Sequence, residues 1–372
     1  MKLRYKILGG LVGFLAIATM TLALLLRDTD ACPSGPAFSG DGETMTSVIY
    51  RCYGPPEVLE YTSVAKPQPT GNEVLVQVHN ASVNPLDWHY MRGSPYIMRI
   101  MAGLGAPQHH STGVDFAGTV VEVGSEVTRF KPGDRVFGGR SGAFSEYVLV
   151  PENRAIVAMP HDVSFEQAAA VPIAAITALQ ALRDHGQLQA GQKVLINGAS
   201  GGVGSYAVQI AVAMGAEVSG VCSGRNVEMV RSLGADRVFN YKEEDYTQSG
   251  QEFDLIVDMI GNHSALANRE VLTPAGRLVI VGGEKGDWIG PLLTPLKAAL
   301  VNPFVDQELT SFTASMTQQD LEVLANMMAD GQLRSVIDQR YPLKDIREAM
   351  AHSESGRARG KIIIEVSEPT GM

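Results

Sequence analysis

Apolar and polar residues alternate in two different ways along the chain. From residue 48 to about residue 170, short alternating segments such as 73–78 and 118–123 are separated by Gly and Pro turns, a pattern that predicts β-strands. From residue 173, apolar runs alternate with stretches whose apolar residues recur at helical spacing. The pattern predicts strands at 193–198, 217–222, 237–240, 253–260 and 276–282, with helices between the first four strands and over 263–272. This order predicts a parallel sheet with helices on both faces.

The last part of the chain returns to shorter elements. Beyond about residue 305, strands are predicted at 308–315, 336–341 and 361–366, with helices over 318–329 and 343–352. We expect these strands to rejoin the first, β-rich domain. With 372 residues, the chain is long enough for two domains. The predicted organisation is a β-rich domain over 48–175, an α/β domain over 176–305 and a return to the first domain over 306–372.

The N-terminal segment differs from the rest of the chain. Residues 7–26 form a run of 20 residues without a charge, long enough as a helix to cross a hydrocarbon core of about 30 Å. Residues 1–30 are therefore predicted to be a membrane anchor, with a cleaved or lipidated signal segment as the alternative. Basic residues are more frequent before the run than after it, which favours an N-terminus in the cytoplasm and a folded part on the other side. Residues 31–47, rich in Asp, Gly, Pro, Ser and Thr, are predicted to be a flexible linker.

Composition narrows the classes of partner. The composition is 45% apolar and 19% charged, as in ordinary globular proteins, and the net charge of −10 argues against nucleic acid or anionic membrane surfaces as partners. The three cysteines, Cys32, Cys52 and Cys222, are few and far apart. They match neither a disulfide framework nor a zinc-finger spacing, so we expect the fold not to depend on them.

A glycine-rich segment lies where the first strand of the α/β region becomes a helix. It is Asn197–Gly204, NGASGGVG. The N–H groups of Ser200, Gly201, Gly202 and Val203 are predicted to bind a pyrophosphate, because a helix N-terminus offers unpaired donors and a partial positive charge. A tight strand–helix turn without a ligand is the alternative for the motif alone. The five strands with helices between them favour a dinucleotide site.

The end of the second strand indicates which dinucleotide is bound. NAD sites often carry an acidic residue there, which accepts hydrogen bonds from the adenosine ribose. Here the strand 217–222 runs into Ser223, Gly224 and Arg225, with no acid. A hydroxyl and a guanidinium can bind a 2′-phosphate through charge-assisted hydrogen bonds, so we predict NADPH. An exposed arginine in a polar turn is the alternative.

The segment Asn197–Gly204, together with Gly191, Gln192 and Gln209, resembles the signature of quinone oxidoreductases and zeta-crystallin, in the zinc-free branch of the medium-chain dehydrogenase/reductase superfamily. Supporting stretches occur at 83–87, 113–118, 129–136, 233–236 and 358–363. The resemblance implies an α/β fold in which a GroES-like catalytic domain is interrupted by a doubly wound Rossmann domain. It also implies that the cofactor site is completed by Tyr241, Asn262, Val281 and Gly282.

The same resemblance bears on metal binding. In the zinc-dependent relatives, two Cys and a His hold the catalytic zinc, and by resemblance those positions fall here at Asn84, Val114 and about Ile173. An amide and two aliphatic side chains do not bind Zn²⁺ usefully. Adjacent His109 and His110 lack a third ligand. We therefore predict no metal.

Without a Lewis acid, the expected acceptor is an activated one. An enone or quinone spreads the arriving electron pair onto a remote oxygen, so catalysis depends on placing the nicotinamide against the acceptor and on hydrogen bonds to the developing enolate. The polar candidates beside the nicotinamide are Asn84, Asp87, His89 and Thr177. His89 stands where zinc-free relatives often have Tyr, and it is either the donor of the final proton or a residue that packs against the cofactor.

These observations predict a membrane-anchored, zinc-free, NADPH-dependent reductase of a small hydrophobic quinone or α,β-unsaturated carbonyl. The apolar stretch 96–104 either lines the acceptor pocket or belongs to the core. A 2-enoyl thioester reductase on the same scaffold and a non-catalytic, membrane-anchored NADPH-binding protein are the alternatives. The orientation favoured by the basic residues conflicts with the location of NADPH pools, so the side of the membrane stays open. A homodimer is a further prediction.

Overall fold

The computed structural model describes residues 19–23, 32, 42–282, 286 and 306–367. Within them the strands are β1 Thr44–Ile49, β2 Glu60–Ala65, β3 Glu73–Val83, β4 Asp115–Val123, β5 Arg135–Gly139, β6 Tyr147–Pro151, β7 Ile156–Ala158, β8 Lys193–Asn197, β9 Glu217–Cys222, β10 Arg237–Asn240, β11 Phe253–Asp258, β12 Leu272–Ile280, β13 Glu308–Ser311, β14 Ile337–Pro342 and β15 Lys361–Glu365. The α-helices that follow residue 42 are Pro85–Arg92, Arg99–Ala102, Phe165–Ala169, Pro172–Gln180, Gly202–Ala213, Val227–Ser232, Ala265–Glu270, Gln318–Ala329 and Ile346–Glu354.

The β-rich part forms a sheet of seven strands. Their order is β14-β15-β3-β4-β5-β7, with β6 paired to β3. The long strands β3 and β4 are antiparallel, and β15 runs antiparallel to β3 with Ile362 opposite Val83. Apolar residues on one face of these strands pack into a core that includes Val74, Val76 and Phe116. The end of the chain thus rejoins this sheet through β14 and β15, whereas the strand predicted at 308–315 does not.

The Rossmann-like part forms a second sheet, with six parallel strands in the order β10-β9-β8-β11-β12-β13. Its central strands β8, β9 and β11 are buried on both faces, as their nearly continuous apolar runs require. The chain leaves β8 towards β9 and β10 and later returns to place β11 on the other side of β8. The carboxyl ends of β8 and β11 therefore flank a crevice of the kind in which α/β sheets bind ligands. Strand β13 pairs with β12, so the residues beyond 305 contribute one strand to this sheet as well as two to the other.

The predicted membrane anchor is wrong. In the part of the chain that the structure describes, no helix combines the length and the apolarity needed to cross a membrane. Only residues 19–23 of the predicted span are described, and they are helical; the rest of the span lies outside the described residues.

The predicted linker and the expectation for the cysteines also need correction. Most of 31–47 lies outside the described residues, but Thr44 begins β1, so the last residues of the predicted linker belong to a strand. Cys32 and Cys52 form a disulfide with a Cα–Cα distance of 5.1 Å, whereas Cys222 is a buried free thiol. Spacing in the sequence did not reveal this pair, because three cysteines far apart in the chain do not indicate which of them meet.

Candidate active site

The glycine-rich turn follows β8 and opens the helix Gly202–Ala213. Gly201 is the residue before the first helical turn, with extended backbone at φ −81° and ψ 179°. Gly198 has a φ of +93°, a conformation that side chains other than hydrogen rarely allow. A Cβ on Gly204 would lie 2.1 Å from the Gly198 carbonyl oxygen, so the helix packs directly on the backbone of the turn. The N-terminus of this helix therefore faces the crevice with backbone donors and little side-chain bulk.

The residues predicted to bind the 2′-phosphate follow β9 and lie beside the glycine-rich turn that follows β8. The Asn226 amide donates to Ser200 Oγ at 3.0 Å and to Ser223 Oγ at 3.3 Å, which ties the second strand to the glycine-rich turn. Arg225 is exposed, and its guanidinium donates to the Arg357 carbonyl oxygen at 2.9 Å. The structure thus brings Ser200, Ser223 and Arg225 to one side of the crevice.

The C-terminal segment before β15 also reaches this turn. The Gly360 N–H donates to the Ser200 carbonyl oxygen at 2.9 Å, and Gly360 forms a parallel bridge with Gly201. Arg357 and Arg359 are exposed on that segment, close in sequence to the bridge. Two further arginines therefore lie on the segment that bridges to the turn, and the backbone carbonyl of Arg357 accepts from Arg225. Neither Arg357 nor Arg359 was predicted from the sequence to belong to the site, although two arginines just before the last strand were a usable signal.

The remaining cofactor candidates lie at the carboxyl ends of neighbouring parallel strands. The Asn197 amide donates to Asn262 Oδ1 and to Asp258 Oδ1, both at 2.8 Å. The Val281 N–H donates to the Asp258 carbonyl oxygen, and a Cβ on Gly282 would lie 2.1 Å from the backbone of Met259. Tyr241 follows β10 and is 57% exposed. All four predicted residues, Tyr241, Asn262, Val281 and Gly282, thus border one end of the sheet.

On the catalytic-domain side, Asn84 precedes the helix Pro85–Arg92 and is almost completely buried. Its backbone N–H donates to Asp87 Oδ2 at 2.7 Å, and its side-chain amide donates to Asp115 Oδ2 at 2.9 Å. The ammonium of Lys361, the first residue of β15, donates to Asn84 Oδ1 at 2.5 Å and lies 3.6 Å from Asp115 Oδ2. The Ser82 hydroxyl donates to the same Asp115 oxygen at 3.2 Å. These contacts form a buried polar cluster of Ser82, Asn84, Asp87, Asp115 and Lys361.

Burial governs the electrostatics of this cluster. Removal from water raises the pKa of Asp87 to about 7 and raises the pKa of Asp115, while it lowers the pKa of Lys361. The Lys361 ammonium and the Asp115 carboxylate oppose these shifts by attracting each other. Lys361 was not predicted to belong to the site, because it is nearly 280 positions from Asn84 and carries no local sign of its role.

His89 and Thr177 are less available for chemistry than predicted. His89 Nδ1 lies 2.7 Å from the Ser94 carbonyl oxygen, which can only accept, so Nδ1 carries the proton. Burial lowers the pKa of His89 and favours the neutral ring, whose Nε2 then has no proton to give. The Thr177 hydroxyl donates to the Ile173 carbonyl oxygen at 2.7 Å. The geometry favours the alternative in which His89 packs against the cofactor. The Thr177 hydroxyl has already donated its proton, so it can only accept further hydrogen bonds.

Comparison with known proteins identifies the family. An alcohol dehydrogenase GroES-like domain matches residues 70–161, and a zinc-binding dehydrogenase domain matches residues 233–364. A chloroplast envelope quinone oxidoreductase homolog of Arabidopsis thaliana is 34% identical over 87% of this chain and 99% of its own. The chain belongs to the zinc-free quinone oxidoreductase family of the medium-chain dehydrogenase/reductase superfamily.

Solved structures agree with this assignment. The quinone oxidoreductase of Coxiella burnetii has 29% sequence identity and a TM-score of 0.78, with 87% of this chain and 100% of that chain covered. A quinone oxidoreductase of Escherichia coli complexed with NADPH has 26% identity and a TM-score of 0.74, with 86% and 100% covered. The predicted GroES-like and Rossmann organisation is therefore confirmed, and the protein is an oxidoreductase.

In this oxidoreductase, the positions that correspond to zinc ligands converge on Asp115. Asn84 donates to one Asp115 oxygen, the Ile173 N–H donates to the other at 3.1 Å, and Val114 precedes Asp115 in the chain. None of the three supplies a ligand atom that zinc prefers. Over the described ranges, no group of three or more His, Cys, Asp or Glu is arranged to hold a metal ion.

The apolar stretch 96–104 lies mainly on the surface. Ile97, Ile100, Met101 and Leu104 are between 47% and 89% exposed. Arg99 is fully buried among them, where it donates to the Gly93 carbonyl oxygen at 2.8 Å and lies over the rings of Tyr53 and Tyr96. The core alternative is therefore wrong for these four apolar side chains.

Proposed function

We propose that this oxidoreductase transfers hydride from NADPH to a quinone or an α,β-unsaturated carbonyl acceptor without zinc. The observation that carries the proposal is the pairing of a backbone-lined dinucleotide crevice with a buried polar cluster in which an amide, that of Asn84, stands where by resemblance zinc-dependent relatives have a ligand. The named relatives, which are quinone oxidoreductases, support the same class of acceptor.

The residues of the crevice fit a dinucleotide phosphate. A Cβ on Gly201 would contact only the Gly198 carbonyl oxygen within 4 Å, so the space over this N-terminus is open to a pyrophosphate. Arg225, Arg357 and Arg359 supply the positive charge that a 2′-phosphate requires. When NADPH is bound, its nicotinamide supplies the hydride.

The acceptor side of the crevice suits compounds that can be reduced without a metal ion to polarise them. Quinone reduction consumes one hydride and one proton and gives the hydroquinone, with the negative charge delocalised until the proton arrives. We expect the Asn84 amide dipole and the Lys361 positive charge to lie near the region where that charge develops, and their burial would strengthen the interaction. His89 and Thr177 remain candidate contacts of the cofactor or the acceptor.

A substrate panel tests the proposal. NADPH oxidation is measured with a benzoquinone, a linear enone, a 2-enoyl-CoA and a saturated ketone, each before and after exhaustive chelation. We expect turnover of the quinone or the enone, unchanged by chelation, and little turnover of the ketone. Activity that disappears on chelation and returns with zinc would contradict the metal-free assignment. Turnover of the 2-enoyl-CoA alone would favour the thioester reductase, and no turnover at all would favour a binding protein. A homodimer remains a prediction for the purified protein.

A further inference from the structure

Lys361 is a buried cation that the fold brings to Asn84, a residue that by resemblance corresponds to a zinc ligand of the zinc-dependent relatives. Its side chain is 3% exposed, and its ammonium donates to Asn84 at the place where zinc-dependent relatives have a ligand. It starts β15, which pairs with β3 immediately before Asn84. A cation is thereby brought to this position by sheet register, from the far end of the chain.

The contacts of Lys361 and Asp115 fix the orientation of the Asn84 amide. An ammonium only donates, so it selects the Asn84 carbonyl oxygen; an ionised carboxylate only accepts, so it selects the Asn84 amide nitrogen. Exchange of the two ends of the amide would place donor against donor and acceptor against acceptor. Loss of the ammonium would remove the partner of Asn84 Oδ1, and the amide would be held from one end only.

Lys361 also contacts the cofactor side of the crevice. The aliphatic part of its side chain passes Gly202, where Lys361 Cδ would lie 3.2 Å from an added Cβ. The preceding residue, Gly360, donates to the Ser200 carbonyl oxygen at 2.9 Å. One residue thus spans the distance between the glycine-rich turn and the amide of Asn84.

We propose that Lys361 is a positioning residue of the reductase, which holds the Asn84 amide in one orientation and carries the positive charge of the acceptor side. This inference rests on the proposed function, because its main readout is the rate of acceptor reduction. Lys361 acts on that rate through Asn84 and is not required for holding NADPH.

If Lys361 served only the stability of the fold, the expected effect on turnover would be the opposite. A buried ion pair contributes little to stability in net terms, and replacing both charges by neutral groups of similar size is often tolerated. If the Lys361–Asp115 pair served the fold alone, neutral replacements that fold would retain activity. Stability and turnover therefore separate the two roles.

The test uses Lys361→Met, which keeps the length of the side chain, and the double variant Lys361→Met/Asp115→Asn, which leaves no unpaired buried charge. Lys131→Met is the matched control, since Lys131 is exposed in the connection between β4 and β5. The measurements are the melting temperature, the Kd for NADPH by fluorescence, kcat with the best acceptor, and hydrogen–deuterium exchange of the peptide that covers 84–92.

We expect the double variant to fold and to bind NADPH within about threefold of the wild type, while kcat falls at least about tenfold, as when a reacting group is misplaced. Lys361→Met leaves the Asp115 carboxylate buried without its partner, so it should be the less stable of the two variants. Exchange over 84–92 should become faster in these variants and not in the control.

A kcat within twofold of the wild type, or an effect on the Kd for NADPH alone, would overturn the proposal. Failure of the double variant to fold would make Lys361 a structural residue and overturn it equally. A wild type without turnover of any acceptor would refute the proposed function instead, and the exchange measurement would still decide whether Lys361 positions Asn84.

Discussion

The two sides of the crevice differ in the chemical groups that line them. On the cofactor side, backbone N–H groups, glycines and exposed arginines face the open space. On the acceptor side, Asn84, Asp115 and Lys361 are buried and satisfy one another. Backbone amides keep their positions when distant side chains are changed. In a cluster of side chains that satisfy one another, removal of any member leaves its partners without a hydrogen bond. Substitutions should therefore affect the two sides in different ways.

The largest effect is expected on the cofactor side, from Gly204→Ala. The added Cβ would meet the Gly198 carbonyl oxygen at 2.1 Å and the Ala199 Cα at 2.8 Å, and backbone atoms cannot move aside as a flexible side chain can. We expect a loss of about 3 kcal/mol in the free energy of unfolding, at the upper end for an overpacked site, together with loss of NADPH binding. Chemical denaturation and NADPH titration measure the two effects.

Gly201→Ala is the matched control for this change. Its Cβ would lie 3.4 Å from the Gly198 carbonyl oxygen, an ordinary contact, and the backbone at this position suits any residue. The variant should keep the wild-type stability and lose affinity for NADPH only. Equal stability losses in Gly204→Ala and Gly201→Ala would show that packing of the helix on the turn is not what requires glycine.

How much of the structure could be predicted from the sequence depends on how far apart in the chain the interacting residues are. The strands 217–222 and 237–240 and the glycine-rich turn were predicted with their observed bounds or nearly so, because each follows from local periodicity and turn chemistry. The cluster around Asn84 was predicted only in part, since its cation comes from β15 by strand pairing. The Cys32–Cys52 disulfide was missed because the number and spacing of three cysteines do not indicate a pair. The prediction of a membrane anchor used apolar length alone, and the described residues contain no helix that supports it.

The next effect concerns selectivity for the dinucleotide. Arg225 and Arg357 lie on two different segments that meet at the glycine-rich turn, joined by one hydrogen bond of 2.9 Å. Replacing Arg225 with Ala should cost about 1 to 3 kcal/mol in the binding of NADPH, as for a charged hydrogen bond, and little in the binding of NADH. The same selective loss is expected for Arg357→Ala if both guanidinium groups face the 2′-phosphate. Kd values for both cofactors provide the measurement, and equal losses for NADH and NADPH would refute a 2′-phosphate contact.

The smallest expected effect is the pH dependence of stability that comes from Asp87. It tests whether the acceptor side is closed to water. Because burial raises its pKa from 3.8 to about 7, the folded protein retains this proton at pH values where the unfolded chain has lost it. Stability from Asp87 is therefore complete below about pH 4 and is lost as the pH rises towards 7. Asp87→Asn keeps an oxygen that can accept from the Asn84 N–H but cannot titrate. Between pH 6 and pH 7, the free energy of unfolding of Asp87→Asn should rise relative to the wild type by on the order of 1 kcal/mol. Urea denaturation at the two pH values measures the difference. A difference that does not change with pH would mean that Asp87 is solvated and ionised, and that the acceptor side is as open to water as the cofactor side.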